Sequence, residues 1–261
     1  MQKKAPLQLL NLLGFILMVA VNYAANAVPI NNMTTGELSE QFPNLFTPAG
    51  ITFSIWGLIY LLLLFFAIYQ ARDILSSYKK EMPYLHNTGY LFFLSCLLNA
   101  GWIFAWHYMW TTLSLVIMVL LLLVLLKIYL NLGIGKRETS WVEKILVYLP
   151  FQIYLGWIVV ATLANTNALL VDLGYHQLGA SSLWTVFLIV VAVVINMMFV
   201  KFRGDLAVNL VALWALAGII IKRLEVEPVD LLVVVGAAAA MVLIAVFAVM
   251  VKLQKRNQYT Y

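Results

Sequence analysis

The fold class is indicated most clearly by Pro48–Ala71, with the sequence PAGITFSIWGLIYLLLLFFAIYQA. It contains no charged residue and is ended by Arg72 and Asp73. A helix that crosses the hydrocarbon core of a membrane needs about 20 mostly apolar residues. The stretch is therefore predicted to be a membrane-spanning helix, and charge-free stretches of similar length recur along the chain.

The composition of the whole chain agrees with this prediction. Of 261 residues, 64% are hydrophobic and only 10% are charged, whereas a soluble domain carries about a quarter charged residues. A soluble core of this length could not bury so much apolar surface, but a polytopic helical membrane protein exposes it to lipid. The single cysteine, Cys96, excludes a disulfide framework and a cysteine-cluster metal site.

The predicted fold is an all-α polytopic membrane bundle of about eight transmembrane helices. Met82–Leu126 is too long for one span, and it is predicted to break near His107–Thr112. The predicted spans are Pro6–Val28, Pro48–Ala71, 87–106, 112–130, Ile145–Leu170, Ser181–Val200, Leu206–Ile221 and Leu231–Val251. The segment 206–221 is the shortest, since its rise of about 24 Å falls below the roughly 30 Å core, so a re-entrant segment is the alternative.

The basic residues supply an orientation. With eight spans, all but two of the sixteen Lys and Arg residues fall on one side, the exceptions being Lys222 and Arg223. The positive-inside rule then places both termini in the cytoplasm, most simply in a bacterial inner membrane. The net charge of +5 does not indicate nucleic-acid binding, because the basic residues lie in short loops and not on one face.

Polar residues inside the spans are mostly amides, among them Asn22, Asn99 and Asn165. Their common role is hydrogen bonding between helices. No Asp, Glu, Lys or Arg lies near a predicted helix centre, which argues against a proton-coupled pump. The histidines lie at helix ends without ligand spacing, and no nucleophile or acid–base set is recognisable, so neither a metal site nor a catalytic residue is predicted.

Tryptophan residues fall into two groups by position. Trp106 and Trp110 lie at a predicted helix end, where an interfacial belt explains them. Trp56, Trp102 and Trp157 lie within spans, where that explanation is weaker. If several of these indoles converge, they would line a pocket.

Three short segments carry a more specific pattern. Thr47–Tyr60 has Trp56 eight residues after Pro48 and Tyr60 four residues later; Leu98–Trp102 reads LNAGW; Tyr154–Asn165 reads YLGWIVVATLAN. In this order, the segments resemble helices two, three and five of the tryptophan-rich sensory protein/translocator protein family (TspO/MBR). The departures include Thr47 and Gly50, where that family usually has Pro and Trp.

This resemblance covers residues 1–171 and implies a five-helix bundle there. It says nothing about residues 172–261, where the last three predicted spans form a three-helix extension. It implies a ligand pocket beneath the loop that joins the first two helices. The implied ligands are porphyrins and other tetrapyrroles, sterols in some members, and benzodiazepine-type drugs; no resident cofactor is implied. The positions that match pocket positions or flank them are Trp56, Trp157, Asn99, Trp102, Asn165, Pro48, Tyr60 and Tyr154.

One chemical question stays open at the level of sequence. Porphyrin carboxylates favour a cation, but the Val28–Thr47 loop holds Glu37 and Glu40 and no Lys or Arg. Either backbone amides and asparagines bind the carboxylates, or the ligand is less acidic than a porphyrin.

The functional prediction is a membrane protein that binds a lipophilic planar ligand in a sensory, regulatory or transport role. The alternatives are a multi-pass small-molecule transporter and a membrane enzyme acting on a lipophilic substrate, of which weak porphyrin degradation is the form that the resemblance implies. The predicted partners are the lipid bilayer and the ligand, and a homodimer formed through transmembrane helices is a further option.

Overall fold

The computed structural model describes residues 4–28, 30–78 and 80–258, with side chains to residue 254. Lys3 and Lys79, which contribute to the predicted charge bias, lie outside the described residues. The described part of the chain contains helices and turns and no strand. The long helices are α1 Lys4–Ala27, α2 Ile55–Ala71, α3 Leu91–His107, α4 Thr111–Leu132, α5 Leu149–Asp172, α6 Ser182–Arg203, α7 Leu206–Glu225 and α8 Leu231–Gln258.

Short elements connect the long helices. Single-turn helices cover Thr35–Glu40, Pro83–Thr88, Trp141–Glu143 and His176–Gly179. Two 3₁₀ turns cover Ile30–Asn32 and Gly50–Ser54, the second leading directly into α2, and a π-helical turn over Lys144–Tyr148 leads into α5. Together with α2, the Gly50–Ser54 turn forms one apolar segment, Gly50–Ala71, that is long enough to cross a membrane.

The predicted spans correspond one to one with the long helices, which confirms the predicted fold class. Several boundaries differ from the prediction; for example, α2 starts at Ile55 and not at Pro48, and α8 continues past Val251 to Gln258. Two further differences have a local cause. Helix α3 starts at Leu91 and not near residue 87, because the short helix Pro83–Thr88 ends at Gly89, whose φ of 49° no regular helix adopts. Helix α7 continues to Glu225, so its 20 residues rise about 30 Å and cover the thickness that Leu206–Ile221 alone did not.

The surface of the described helices suits a bilayer. Seven apolar segments are long enough to cross a membrane, and α3, with 17 residues, is the shorter eighth. Large apolar side chains stay exposed along the outward faces, for example Leu61 and Phe65 on α2 and Leu123 on α4. Lipid is the solvent in which such faces are stable, so the chain is an integral multi-pass membrane protein.

The first five long helices form a closed ring. Around it, α1 packs against α2, α2 against α5, α5 against α4, α4 against α3, and α3 against α1. The interior of the ring holds large buried side chains, among them Phe66, Phe92 and Phe151, whose rings meet edge to face with centroids 4.9–5.9 Å apart. These side chains fill one end of the ring, and the site described below lies at the opposite end.

Helices α6, α7 and α8 pack on one another, and α7 attaches them to the ring. At Gly156 on α5, an added Cβ would come within 3.1 Å of Val211 on α7, so the two backbones lie unusually close. Small residues also allow the close approach of α8 to α6, where a Cβ at Gly236 would come within 3.1 Å of Val186. This confirms the packing role expected of small residues in membrane helices.

Helix α7 also contacts the turn that begins α2. The Ala49 backbone N–H donates to the Gly218 carbonyl at 2.9 Å, and Trp214 Nε1 donates to the Thr52 carbonyl at 2.9 Å. At Gly218, an added Cβ would lie 2.0 Å from Thr52 Oγ1. The C-terminal three helices are therefore fixed to the segment that carries Pro48 and Trp56.

The sequence at Gly204 and Asp205 sets the end of α6 and the start of α7. Asp205 caps the N-terminus, because its carboxylate accepts from the backbone N–H groups of Ala207 and Val208 at 3.0 and 3.1 Å. The same carboxylate accepts a hydrogen bond from the Tyr129 hydroxyl of α4 at 2.8 Å. Gly204, with a φ of 65°, provides the left-handed residue that ends α6 immediately before this cap.

A buried carboxylate ties α1 to the end of α2. Asp73, of which 1% of the side chain is exposed, accepts from Lys4 Nζ at 2.5 Å, Gln8 Nε2 at 2.8 Å and the Lys80 backbone N–H at 2.7 Å. Burial on its own would raise the pKa of Asp73, but these hydrogen bonds and the Lys4 charge outweigh it. They hold the pKa of the carboxyl well below its usual range.

Replacing Gly218 with alanine should destabilise the protein by about 1–3 kcal/mol, because the new methyl group overlaps the buried Thr52 side chain. Thermal unfolding in detergent measures the effect. Gly57→Ala in α2, where a Cβ meets nothing within 4 Å, is the matched control and should unfold no earlier than the wild type. Adding Thr52→Ala to Gly218→Ala should recover part of the loss; a Gly218→Ala variant as stable as the wild type would contradict the contact.

Replacing Asp73 with asparagine should lower the free energy of unfolding at pH 7 by about 1–3 kcal/mol, since buried donors lose a charged acceptor. The pKa of Asp73 is depressed in the folded state, so its contribution is complete above the unfolded value of about 3.9 and is lost as the pH falls below it. The stability gap between wild type and variant should therefore shrink in acid. Glu81→Gln, at an exposed residue of the same loop, is the control; a gap that does not change with pH would refute the assignment.

Candidate functional site

A cavity of about 50 Å³ lies between α2, α3 and α5 beneath the loop that joins α1 and α2. The loop contributes Thr35, Ser39, Thr47 and Pro48, and α5 contributes the small side chains Ala161, Ala164 and Ala168. The remaining walls are mainly aromatic: Phe53, Trp56, Trp102, Trp106 and Trp157. The small residues of α5 leave space opposite the indole rings, so the lining is largely apolar.

The loop that covers the cavity has a defined local structure. Thr34 caps the helix Thr35–Glu40 in a capping box, in which Glu37 accepts from the Thr34 backbone N–H at 2.7 Å. These hydrogen bonds, first that from the Thr34 backbone, lower the pKa of the exposed Glu37 carboxyl. Further along, Asn44 Oδ1 accepts from the backbone N–H groups of Phe46 and Thr47, a turn that leads the chain to Pro48.

The structure brings five of the eight predicted site residues to the lining of this cavity: Pro48, Trp56, Trp102, Trp157 and Asn165. Tyr60 lines a second cavity of about 240 Å³, which shares Phe53, Trp56 and Trp102 with the first. Asn99 and Tyr154 line neither cavity and lie buried behind the indoles. The aromatic side chains thus lie between two cavities, and Asn99 and Tyr154 pack behind them.

The indole rings pack as one cluster around Trp56. Trp56 stacks on Tyr60 and on Trp102, with centroids 5.6 and 6.2 Å apart. It meets Trp157 edge to face at 6.2 Å, and Trp102 stacks on Trp106 at 5.8 Å. Offset stacking and edge-to-face contact are the arrangements that aromatic pairs prefer, so the rings hold one another in place.

A chain of hydrogen bonds joins four helices beside this cluster. The Tyr60 hydroxyl of α2 donates to Asn22 Oδ1 of α1 at 2.6 Å, and Asn22 Nδ2 donates to Asn99 Oδ1 of α3 at 2.7 Å. Asn99 Nδ2 then donates to the Tyr154 hydroxyl of α5 at 2.9 Å. The bonding of Asn22 and Asn99 confirms the role between helices that the sequence predicts for intramembrane amides.

Asn165 and Trp157 carry buried hydrogen-bond donors without acceptors. Asn165 Oδ1 accepts from Ser114 Oγ at 2.9 Å and from Trp102 Nε1 at 3.4 Å. Because indole nitrogen only donates, these partners fix which end of the amide is oxygen. Asn165 Nδ2 and Trp157 Nε1 then have no partner within the described part of the chain. Both donors belong to side chains that line the same cavity.

Sequence reasoning did not identify two aromatic residues that line the cavity, Trp106 and Phe53. Trp106 was expected at the membrane interface, but its side chain is only 5% exposed and its Nε1 donates to the Thr35 carbonyl at 3.2 Å. Its position one turn after Trp102 places both on the same face of α3, and this spacing could have identified it. Phe53, which meets Trp157 edge to face at 6.0 Å, lies in the 3₁₀ turn that the sequence pattern did not reveal.

Comparison with known proteins agrees with this geometry. The model of the family described as TSPO-like protein matches residues 8–250, so the match covers the ring and continues through α6 and α7 into α8. No curated protein and no solved structure gives a significant match. A match over so much of the chain confirms the resemblance drawn from the three motif segments, and the protein belongs to the TSPO-like protein family.

Proposed function

We propose that this protein binds a lipophilic planar ligand of the porphyrin or tetrapyrrole class in the cavity between α2, α3 and α5, in a sensory, regulatory or transport role. The observation that carries the proposal is the pair of unpartnered donors, Trp157 Nε1 and Asn165 Nδ2, on residues of an aromatic cavity. Buried donors without acceptors cost free energy. A ligand that carries nitrogen or oxygen acceptors would relieve this cost while its rings contact the indoles.

The shape of the lining supports a flat ligand over a compact one. Trp56 and Trp102 lie roughly parallel, with 28° between their planes, and Trp157 stands nearly perpendicular to Trp56 at 86°. Parallel rings offer faces for stacking, and a perpendicular indole offers its edge. In this proposal Trp56 and Trp102 contact the ligand face, while Trp157 and Asn165 provide hydrogen bonds and Pro48 closes one side.

The remaining predicted site residues have a supporting role in the proposal. Tyr60, Asn99 and Tyr154 belong to the hydrogen-bonded chain that fixes the spacing of α2, α3 and α5. A cavity bounded by three helices keeps its width only if their separation is constrained. Loss of this chain should therefore affect stability more than ligand chemistry.

The membrane arrangement also belongs to the proposal. The charge bias supports cytoplasmic termini and a bacterial inner membrane. In that orientation the cavity, its covering loop and the end of α7 with Lys222 and Arg223 lie on the outer side. Residues 1–171 form the ligand-binding bundle and residues 172–261 the extension, and association of two copies through transmembrane helices stays a prediction.

Replacing Trp56 or Trp157 with phenylalanine should weaken the binding of protoporphyrin to the detergent-purified protein. Loss of indole contact is worth about 0.5–1.5 kcal/mol and loss of the Trp157 hydrogen bond a similar amount. About three- to tenfold weaker binding is thus expected for Trp56→Phe and about tenfold or more for Trp157→Phe. Titration followed by the porphyrin absorption band measures the dissociation constants without relying on the replaced fluorophores.

Trp141→Phe is the matched control, since this indole is 74% exposed and lies outside the cavity lining. Its affinity should equal that of the wild type. If the wild type shows no saturable binding, the tetrapyrrole proposal is wrong. If all three variants bind alike, the ligand does not occupy this cavity.

A further inference from the structure

A cavity of about 340 Å³ adjoins the aromatic cavity at the same end of the molecule. The two share Ser39 and Thr47 as lining residues, so the covering loop lies between them. The far wall of this second space comes from the extension, through Gly179, Ala180 and the last turn of α7 with Lys222 and Arg223. These are the only two basic residues that the sequence places on this side of the membrane.

Arg223 is a buried cation without an ion pair. The residue is 7% exposed, Nε has no hydrogen-bond partner, and no carboxylate among the described residues lies within salt-bridge distance. An unpaired guanidinium in such surroundings is unfavourable unless an anion joins it. The observation therefore points to an anionic group that binds in this cavity.

The neighbouring charges are already engaged by other partners. Glu40, also in the lining, pairs with Lys222 Nζ at 3.0 Å. Asp230, whose charge also acts on Arg223, accepts from Ser182 Oγ at 2.5 Å and from the Val233 backbone N–H at 3.0 Å. Of the two basic residues that line this cavity, Arg223 is therefore the one that is free to bind a carboxylate of a ligand.

The contacts of α7 fix Arg223 relative to the aromatic cavity. Trp214 and Gly218 on the same helix hydrogen-bond to the segment that begins α2. Five residues separate Gly218 from Arg223, a rise of about 7.5 Å along the helix. The backbone of Arg223 is thus held beside the covering loop, with whose residues it lines the same cavity.

We infer that Arg223 binds a carboxylate of the ligand whose apolar rings occupy the aromatic cavity. The inference rests on the proposed function and assigns the ligand class as a planar amphipathic carboxylic acid. Guanidinium groups suit carboxylates because they form two parallel hydrogen bonds with them. The extension then supplies the cation that the Val28–Thr47 loop lacks.

The experiment compares protoporphyrin, which has two carboxylates, with its uncharged dimethyl ester, in neutral detergent. The wild type should bind the acid about tenfold more tightly than the ester. Arg223→Gln should weaken binding of the acid about tenfold and leave binding of the ester unchanged. The affinity of Arg223→Lys for the acid should lie between those of the wild type and Arg223→Gln. Lys136→Gln, which removes an exposed positive charge from the loop between α4 and α5, is the matched control and should retain the preference.

The outcomes separate the two proposals. If the wild type and Arg223→Gln both bind acid and ester equally, the carboxylate site is wrong and the proposed function stands. If the wild type binds neither compound, both are wrong. If Arg223→Gln weakens the ester as much as the acid, Arg223 acts on the shape of the site and the inference is overturned. Thermal unfolding provides a further check, because removing an unpaired buried charge should not lower the unfolding temperature.

Discussion

The hydrogen-bonded chain from Tyr60 through Asn22 and Asn99 to Tyr154 is the interaction on which the site depends. It joins α2, α1, α3 and α5 through three bonds of 2.6–2.9 Å. Asn99 and Tyr154 are fully buried, so each needs its neighbour as a partner. The chain therefore sets the spacing of the helices, and the indole cluster packs against helices already held at that spacing.

The aromatic cavity follows from this constraint together with the small residues of α5. Trp56, Trp102 and Trp157 project from three helices, and Ala161 and Ala164 leave open the space they face. Helix α7 then fixes the start of α2 through Gly218 and Trp214. The extension is thus part of the structure around the cavity, in agreement with a family match that runs from residue 8 to residue 250.

Much of this arrangement could be predicted from the sequence because lipid imposes a simple rule on helix length and charge. The eight helices were predicted in this way, and the family was predicted from the resemblance of three short motif segments. The burial of Trp106 was not, since a tryptophan near a helix end fits both an interface and a pocket until its face is known. The position of Arg223 across a cavity from the covering loop could not be predicted either, because it depends on how α7 packs, and periodicity does not encode contacts distant in sequence.

In the proposed complex a planar ligand lies among Trp56, Trp102 and Trp157, with an acceptor atom bonded to a donor that is otherwise unpaired. An experimental structure of the protein with protoporphyrin bound tests it most directly. We expect ligand density between α2, α3 and α5, with a nitrogen or oxygen atom within about 3.2 Å of Trp157 Nε1 or Asn165 Nδ2. Density only on the outward, lipid-facing surface, such as the groove between α4, α5 and α6, would contradict it.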